Sequence, residues 1–139
     1  MEKSLDSYFS EILDVEYTNP NEYSPLALAY IGDSVFDLLI KTVVVSKNNK
    51  QAEKYHKEVS SYVKAASQAQ YMEYLIEKEL LTEEELSIYK RGRNAKTHST
   101  AKNATVGQYR IATGFECLIG YLYLGRNYER LFEIVKSIV

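Results

Sequence analysis

Apolar residues recur along this chain at helical rather than strand spacing. Between residues 3 and 14, Leu5, Tyr8, Phe9, Ile12 and Leu13 fall on one side of a short amphipathic helix. The polar run TNPNEYS leads from it into Ser24-Pro25, a hydroxyl N-cap followed by a residue suited to the first helical position. The helix opened there is expected to reach about Val44, with Leu28, Ile31, Val35 and Leu38 or Leu39 at helical spacing. The β-branched run Val43-Val44-Val45 also reads as a strand, but one without an obvious partner. From Lys50 to Glu79 the residue types favour helix, either one or two with a break near Ser60-Ser61. Thr82-x-x-Glu85 is a capping box that opens a helix to about Arg91. Residues 92–105, GRNAKTHSTAKNAT, have no periodicity and form the one long loop, a kind of segment that often carries function. A very apolar helix follows over roughly 106–124, ended by Gly125, and residues 127–138 close the chain with Leu131, Ile134, Val135 and Ile138 on one face. The pattern predicts an all-α fold of about seven helices.

Length and composition narrow this without changing it. At 139 residues, 45% of them hydrophobic, the chain suits one domain with a real core, and is too short for a doubly wound sheet with a second lobe. Cys117 is the only cysteine, which excludes an internal disulfide and a cysteine zinc cage. Acids interrupt every short apolar run near the N-terminus, unlike a secretory signal. The longest apolar stretch, 26–45, contains Asp33, Asp37 and Lys41 and so does not read as a membrane span. A soluble, cytoplasmic protein is expected.

Two acids stand out because they lie on apolar helices. Asp33, in YIGDSVFD, has Ala29, Tyr30, Phe36 and Asp37 three and four residues away, and Glu116, in GFECLIGYLYL, has Ala112, Thr113, Ile119 and Gly120. Neither has a cation on its own face. If both are buried, something must compensate them: a distant Lys or Arg, a hydrogen-bond network, or a divalent metal such as Mg²⁺, which takes hard oxygen ligands. Gly32, Gly114 and Gly120 flank these acids and imply close approach, with tight helix packing the plain explanation. Asp37 is either a supporting acid or part of a solvated helix edge.

The formal net charge of −2 argues against a polyanion partner only as an average. From Leu86 to Ala112 the chain holds Lys90, Arg91, Arg93, Lys96, Lys102 and Arg110 and no acid, which leaves eleven basic against nineteen acidic residues elsewhere. Asn94, Thr97, His98, Ser99, Thr100 and Asn103 add phosphate-bonding types to the same region. With no aromatic platform in the 92–105 loop, the segment fits double-stranded better than single-stranded nucleic acid. His98 reads as a loop residue near phosphate more readily than as a catalytic base, and Cys117 as a small core residue.

LALAYIGDSVFDLLIK (26–41) resembles the signature segment of the ribonuclease III family, and GFECLIGYLYL (114–124) its second acidic motif. Together with KRGRNAK (90–96) and the run from Tyr109 to Leu124, they are most similar to Mini-ribonuclease III, the short bacterial branch without a separate double-stranded-RNA-binding domain. The resemblance spans roughly 24–139. It implies an all-α, ribonuclease III-like catalytic domain over 23–139, after a 1–22 extension with a short helix, working as a homodimer. It implies Mg²⁺-dependent endonucleolytic cleavage of double-stranded RNA, in maturation of the large-subunit (23S) ribosomal RNA precursor. Asp33 and Glu116 match the catalytic, metal-holding acids, and Lys90, Arg91, Arg93, Asn94, Lys96, Lys102 and Arg110 are the expected RNA contacts. Ala29 and Thr113 stand where the full-length family has a glutamate and an aspartate, a reduction the short branch shares. The alternative is a catalytically degenerate RNA-binding or ribosome-associated module of the same fold.

Overall fold

The computed structural model describes residues 2–47, 49, 51–96 and 104–139. Among them are α1 (Leu5–Ile12), a 3₁₀ turn (Pro20–Glu22), α2 (Pro25–Lys47), α3 (Ala52–Val63), α4 (Ala65–Glu77), α5 (Glu83–Asn94), α6 (Val106–Leu124) and α7 (Tyr128–Ile138), and no strand. The fold is all-α. Val43-Val44-Val45 continues α2, because a lone β-branched run without a neighbouring strand gains nothing by leaving a helix. No helix among the described residues is long and apolar enough to cross a membrane.

Local signals set most boundaries. Ser24 Oγ accepts from Ala27 N at 3.1 Å and caps α2. The capping box is complete at α5, where Thr82 and Glu85 exchange bonds of 2.9 and 3.1 Å. Thr105 and Gln108 form a second box at α6, at 3.2 and 3.0 Å. Two expectations need correcting. The break between α3 and α4 falls at Lys64, not near Ser60-Ser61: Lys64 is extended (φ −64°, ψ 154°) and serves both as the end of one helix and the start of the next. And α5 runs on to Asn94, so Arg93 and Asn94 are helical rather than the start of the loop.

The architecture is a central helix and its cover. Ten residues of α6 are buried, Ala112 to Phe115 and Cys117 to Leu122, so it is apolar on nearly every side, as a helix inside a core must be. It packs against α2, α4, α5, α7 and the 3₁₀ turn. Phe36 (α2), Tyr71 (α4) and Phe115 (α6) meet as three rings, with Phe36 and Phe115 edge-to-face at 5.0 Å. Helix α1, in contrast, buries none of its residues, and its apolar Leu5, Ile12 and Leu13 face outward.

Glycine makes the tightest contact possible. A Cβ on Gly32 would lie 1.8 Å from the Glu116 carbonyl oxygen, and one on Gly120 would lie 1.9 Å from the Leu28 carbonyl oxygen. Helices α2 and α6 therefore touch backbone to backbone at two successive points. Of the glycines that the sequence marks beside its two acids, Gly32 and Gly120 make this crossing and Gly114 packs against Tyr89 of α5.

A polar clasp ties α5 to α7. The guanidinium of Arg130 donates to both carboxylate oxygens of Glu85 at 2.8 Å and to Leu80 O at 2.7 Å. Burial pushes the Glu85 carboxyl up, but the bonds from Arg130 and Thr82 outweigh it and hold the group below its usual value.

Two tests of this packing follow. Gly120→Ala is expected to lower stability by at least about 2 kcal/mol in urea unfolding, because the obstructing atom is a backbone oxygen that no side-chain rotation can move. Arg130→Met should cost about 3 kcal/mol at neutral pH by leaving the Glu85 carboxylate buried without its partner. Since the folded-state pKa of Glu85 lies below its ordinary 4.5, the contribution is full above that pH and is lost as pH falls through the folded value. Melts of the variant and the wild type should thus converge on acidification below about pH 4.5.

Candidate active site

The α2–α6 crossing decides where the two acids go. Gly32 rests on the Glu116 carbonyl, so its neighbour Asp33 is carried to the Glu116 side chain, and the two carboxyl groups lie within hydrogen-bonding reach. Their settings differ from the expectation. Asp33 is exposed, not buried, because it lies at the edge of the buried face of α2 that carries Leu28, Gly32 and Phe36. Glu116 is the half-buried member. Burial first, and then the hydrogen bond and charge of Asp33, push its carboxyl up to about 9. In the metal-free protein, then, Glu116 keeps its proton at neutral pH.

Gln68 on α4 completes the site, and the sequence reading passed it over. It is 2% exposed. Its amide Nε2 donates to Val63 O at 2.9 Å and to Glu116 Oε2 at 3.4 Å, and its Oε1 has no partner among the described residues. An unsatisfied buried acceptor costs about 1–3 kcal/mol. A signal for it exists: Gln68, Met72 and Leu75 share one helical face, and Met72 and Leu75 are fully buried. A glutamine on that face is a buried polar group, whereas Gln70, two residues on, is exposed.

The positions that lack the family's other acids are packed shut. Ala29 and Thr113 are both 7% exposed, and the Thr113 hydroxyl donates back to Tyr109 O at 3.0 Å. Asp37 pairs with Lys41 at 2.9 Å on the partly exposed side of α2. That makes it a solvated helix edge. Cys117 is fully buried and its thiol is raised to about 11, chiefly by burial, so it is a core residue.

The expected basic residues divide. Lys90, Arg91 and Asn94 line one open groove on α5 together with Glu83, Leu86 and Ser87. Arg93 turns to Tyr89, its guanidinium 5.6 Å from the ring centre, and donates to Asn94 Oδ1 at 3.2 Å. Lys96 lies just past the helix and Arg110 on the second turn of α6, both exposed. Gly92 packs on Gly114 and Cys117, either side of Glu116 in sequence, so the basic end of α5 stands level with the acids along α6. Thr97, His98, Ser99, Thr100, Lys102 and Asn103 lie outside the described residues.

Among the described residues no three metal-ligating His, Cys, Asp or Glu side chains cluster. What the site offers is two hard carboxyl groups side by side, with Glu116 protonated at neutral pH. A divalent cation can take the place of that proton, and Mg²⁺ in particular is commonly held by one or two carboxylates and several waters. The donor set fits.

Comparison with known proteins places this geometry in a family. The model of the Ribonuclease III domain matches residues 26–127. The chain is 44% identical over 130 residues to a Mini-ribonuclease 3 of Clostridium tetani, covering 91% of this chain and 85% of that one. It is 47% identical over 116 residues to the Staphylococcus aureus protein of that name, with 84% and 87% covered. Against the Thermoanaerobacter protein it is 43% identical over 136 residues, with 98% and 94% covered. A crystal structure of a Fusobacterium nucleatum protein superposes with a TM-score of 0.77 at 30% identity, covering 87% of this chain and 95% of that one. The helical core built around α6 and the sequence that builds it agree: the chain belongs to the Mini-ribonuclease 3 family of ribonuclease III-domain proteins.

Proposed function

We propose that this chain is an endoribonuclease that cuts double-stranded RNA with the help of Mg²⁺. The observation that carries the reading is the Asp33–Glu116 pair, two carboxyls held together by a backbone-level helix crossing and needing a cation to ionise together. Asp33 and Glu116 are the metal-holding and catalytic residues. The chemistry such an ion supplies is polarisation of the scissile phosphodiester and activation of a water for in-line attack. Asp33 presents its carboxylate from the exposed side and Glu116 from the half-buried side. Lys90, Arg91 and Asn94 on the α5 groove, with Arg93, Lys96, Lys102 and Arg110, hold the phosphate backbone and so set which bond reaches the acids.

Several further assignments come with this reading. The catalytic domain is 23–139, with 1–22 as an extension, and the protein acts in the cytoplasm. The substrate is the large-subunit (23S) ribosomal RNA precursor, by likeness to the family. The working form is a homodimer, each subunit cutting one strand. In support of the dimer, Tyr30 is 83% and Leu38 62% exposed on α2, the helix of Asp33, an apolar face that a second copy would cover.

A second reading is favoured by Ala29 and Thr113: a degenerate module that binds RNA without cutting it. Incubating the purified protein with duplex RNA separates the two. Cleavage with Mg²⁺ is expected, abolished by EDTA and lowered at least about a hundredfold in kcat by Asp33→Asn, equivalent to about 2.7 kcal/mol of transition-state stabilisation. Cutting that persists in EDTA would sink the metal mechanism, and tight binding with no cutting would establish the module.

The basic groove gives an independent test. Lys90→Ala and Arg91→Ala should each weaken duplex binding for all sequences alike and reduce the slope of log affinity against log salt by about one. A slope unchanged in both variants would remove this groove from the RNA contact.

A further inference from the structure

We propose that Gln68 is a positioning residue for the cleavage reaction: its amide aims the Glu116 carboxylate at the metal that Glu116 shares with Asp33. The inference rests on the reading of Asp33 and Glu116 as metal-holding acids.

The orientation of the amide is forced. Its two nearest polar neighbours are Val63 O, a carbonyl that can only accept, at 2.9 Å, and Glu116 Oε2 at 3.4 Å. Turning the amide over would set oxygen against oxygen at Val63, so Nε2 faces that carbonyl with one hydrogen and its second hydrogen points to Glu116. One anchors the side chain to the last turn of α3, where helix-end carbonyls lack intrahelical partners. The other reaches the carboxylate. Gln68 thus ties Glu116 to a fixed backbone point on another helix, and the extended residue Lys64 between α3 and α4 brings that point within reach.

Stability alone does not account for this residue. The flanking positions of the buried α4 face carry Ala69, Met72 and Leu75, and a methionine at 68 would fill similar space without leaving Oε1 unsatisfied. What methionine lacks is the donor. Among the described residues Gln68 is the side-chain amide that donates to Glu116, and Asp33, the other group against that carboxyl, is itself an acid. Without Gln68, the carboxylate of Glu116 has no fixed direction when it ionises. Ligands held by such partners typically lose about 10–100-fold in metal affinity or activity when the partner is removed.

The test compares wild type with Q68M and Q68E, the second of which keeps the shape of the side chain and exchanges the amide donor for a carboxyl oxygen. Three measurements are made on each: thermal melting, Mn²⁺ affinity of the RNA-free protein by electron paramagnetic resonance, and steady-state cleavage of duplex RNA. Q68M is expected to melt no lower than wild type, to bind Mn²⁺ about tenfold more weakly, and to lose about 10–100-fold in kcat. Duplex affinity measured in EDTA should stay within twofold, because the α5 groove is untouched. Q68E is expected to show the same loss of kcat. Either variant, folded and retaining wild-type kcat and Mn²⁺ affinity within twofold, overturns the proposal. So does a loss of kcat fully matched by loss of duplex binding in EDTA. If wild type itself binds no Mn²⁺ and cuts in EDTA, it is the metal reading that fails, whatever the variants do.

Discussion

The contact on which the rest depends is the crossing of α2 and α6 at Gly32 and Gly120. Each glycine sits where a Cβ would collide with a carbonyl oxygen of the other helix, at 1.8 and 1.9 Å. A helix-interior glycine costs roughly 0.5–1 kcal/mol against alanine, and the burial that the crossing allows offsets it, since Leu28, Phe36, Phe115, Leu118 and Ile119 are all fully buried around it. The crossing also fixes distance at the backbone level. Two acids from helices some eighty residues apart in sequence meet because the glycines near them touch, and their backbones cannot separate without opening the core.

That constraint produces an electrostatic problem with one economical solution. Two carboxyls within hydrogen-bonding reach, one of them half-buried, cannot both ionise freely. The proton that Glu116 holds at neutral pH is a placeholder for positive charge. Among the described residues no lysine or arginine forms an ion pair with either acid, although the chain has paired cations elsewhere, with Arg130 engaged by Glu85 and Lys41 by Asp37. Lys90 and Arg91 line the groove at the end of α5 instead. Charge in this molecule is sorted: an acid pair that wants a cation on α2 and α6, and a basic groove on α5 that wants a polyanion. A phosphodiester with an associated divalent ion answers both.

Legibility from sequence followed the range of the signal. The capping box at Thr82 and the hydroxyl at Ser24 set helix starts by bonds three residues long, and these starts were readable. The α3–α4 break was not, because Lys64 leaves helical geometry without a glycine or proline to announce it; burial of Ser67 and Gln68 against neighbouring elements rewards the kink. Asp33 was misplaced for a similar reason. Its helix is apolar on average, but exposure depends on which side α6 covers, and Leu38, Tyr30 and Asp33 lie off that side. The pairing of Asp33 with Glu116 itself came from family resemblance; spacing along one chain says nothing of a contact between helices. Gln68 was missed because glutamine in an alanine-rich helix is ordinarily a surface choice, and the question that finds it is which face it shares.

The closed packing at Ala29 and Thr113 bears on how such a site can work. With those positions buried and non-acidic, a cation on the proposed reading has two carboxylates from the protein, and water or substrate must supply its remaining ligands. Affinity for the ion is then low in the free protein and rises when a phosphate arrives to complete the shell. By linkage the reverse holds with equal strength: whatever the phosphate adds to metal binding, the metal adds to phosphate binding. A sparse donor set therefore couples the two events more tightly than a full cage would, because a cage already satisfied by protein gains little from the substrate. The orientation of each remaining carboxylate matters correspondingly more. An ion with two protein ligands is placed by their directions alone, so the amide that holds Glu116 does for this site what two further acids would do by number.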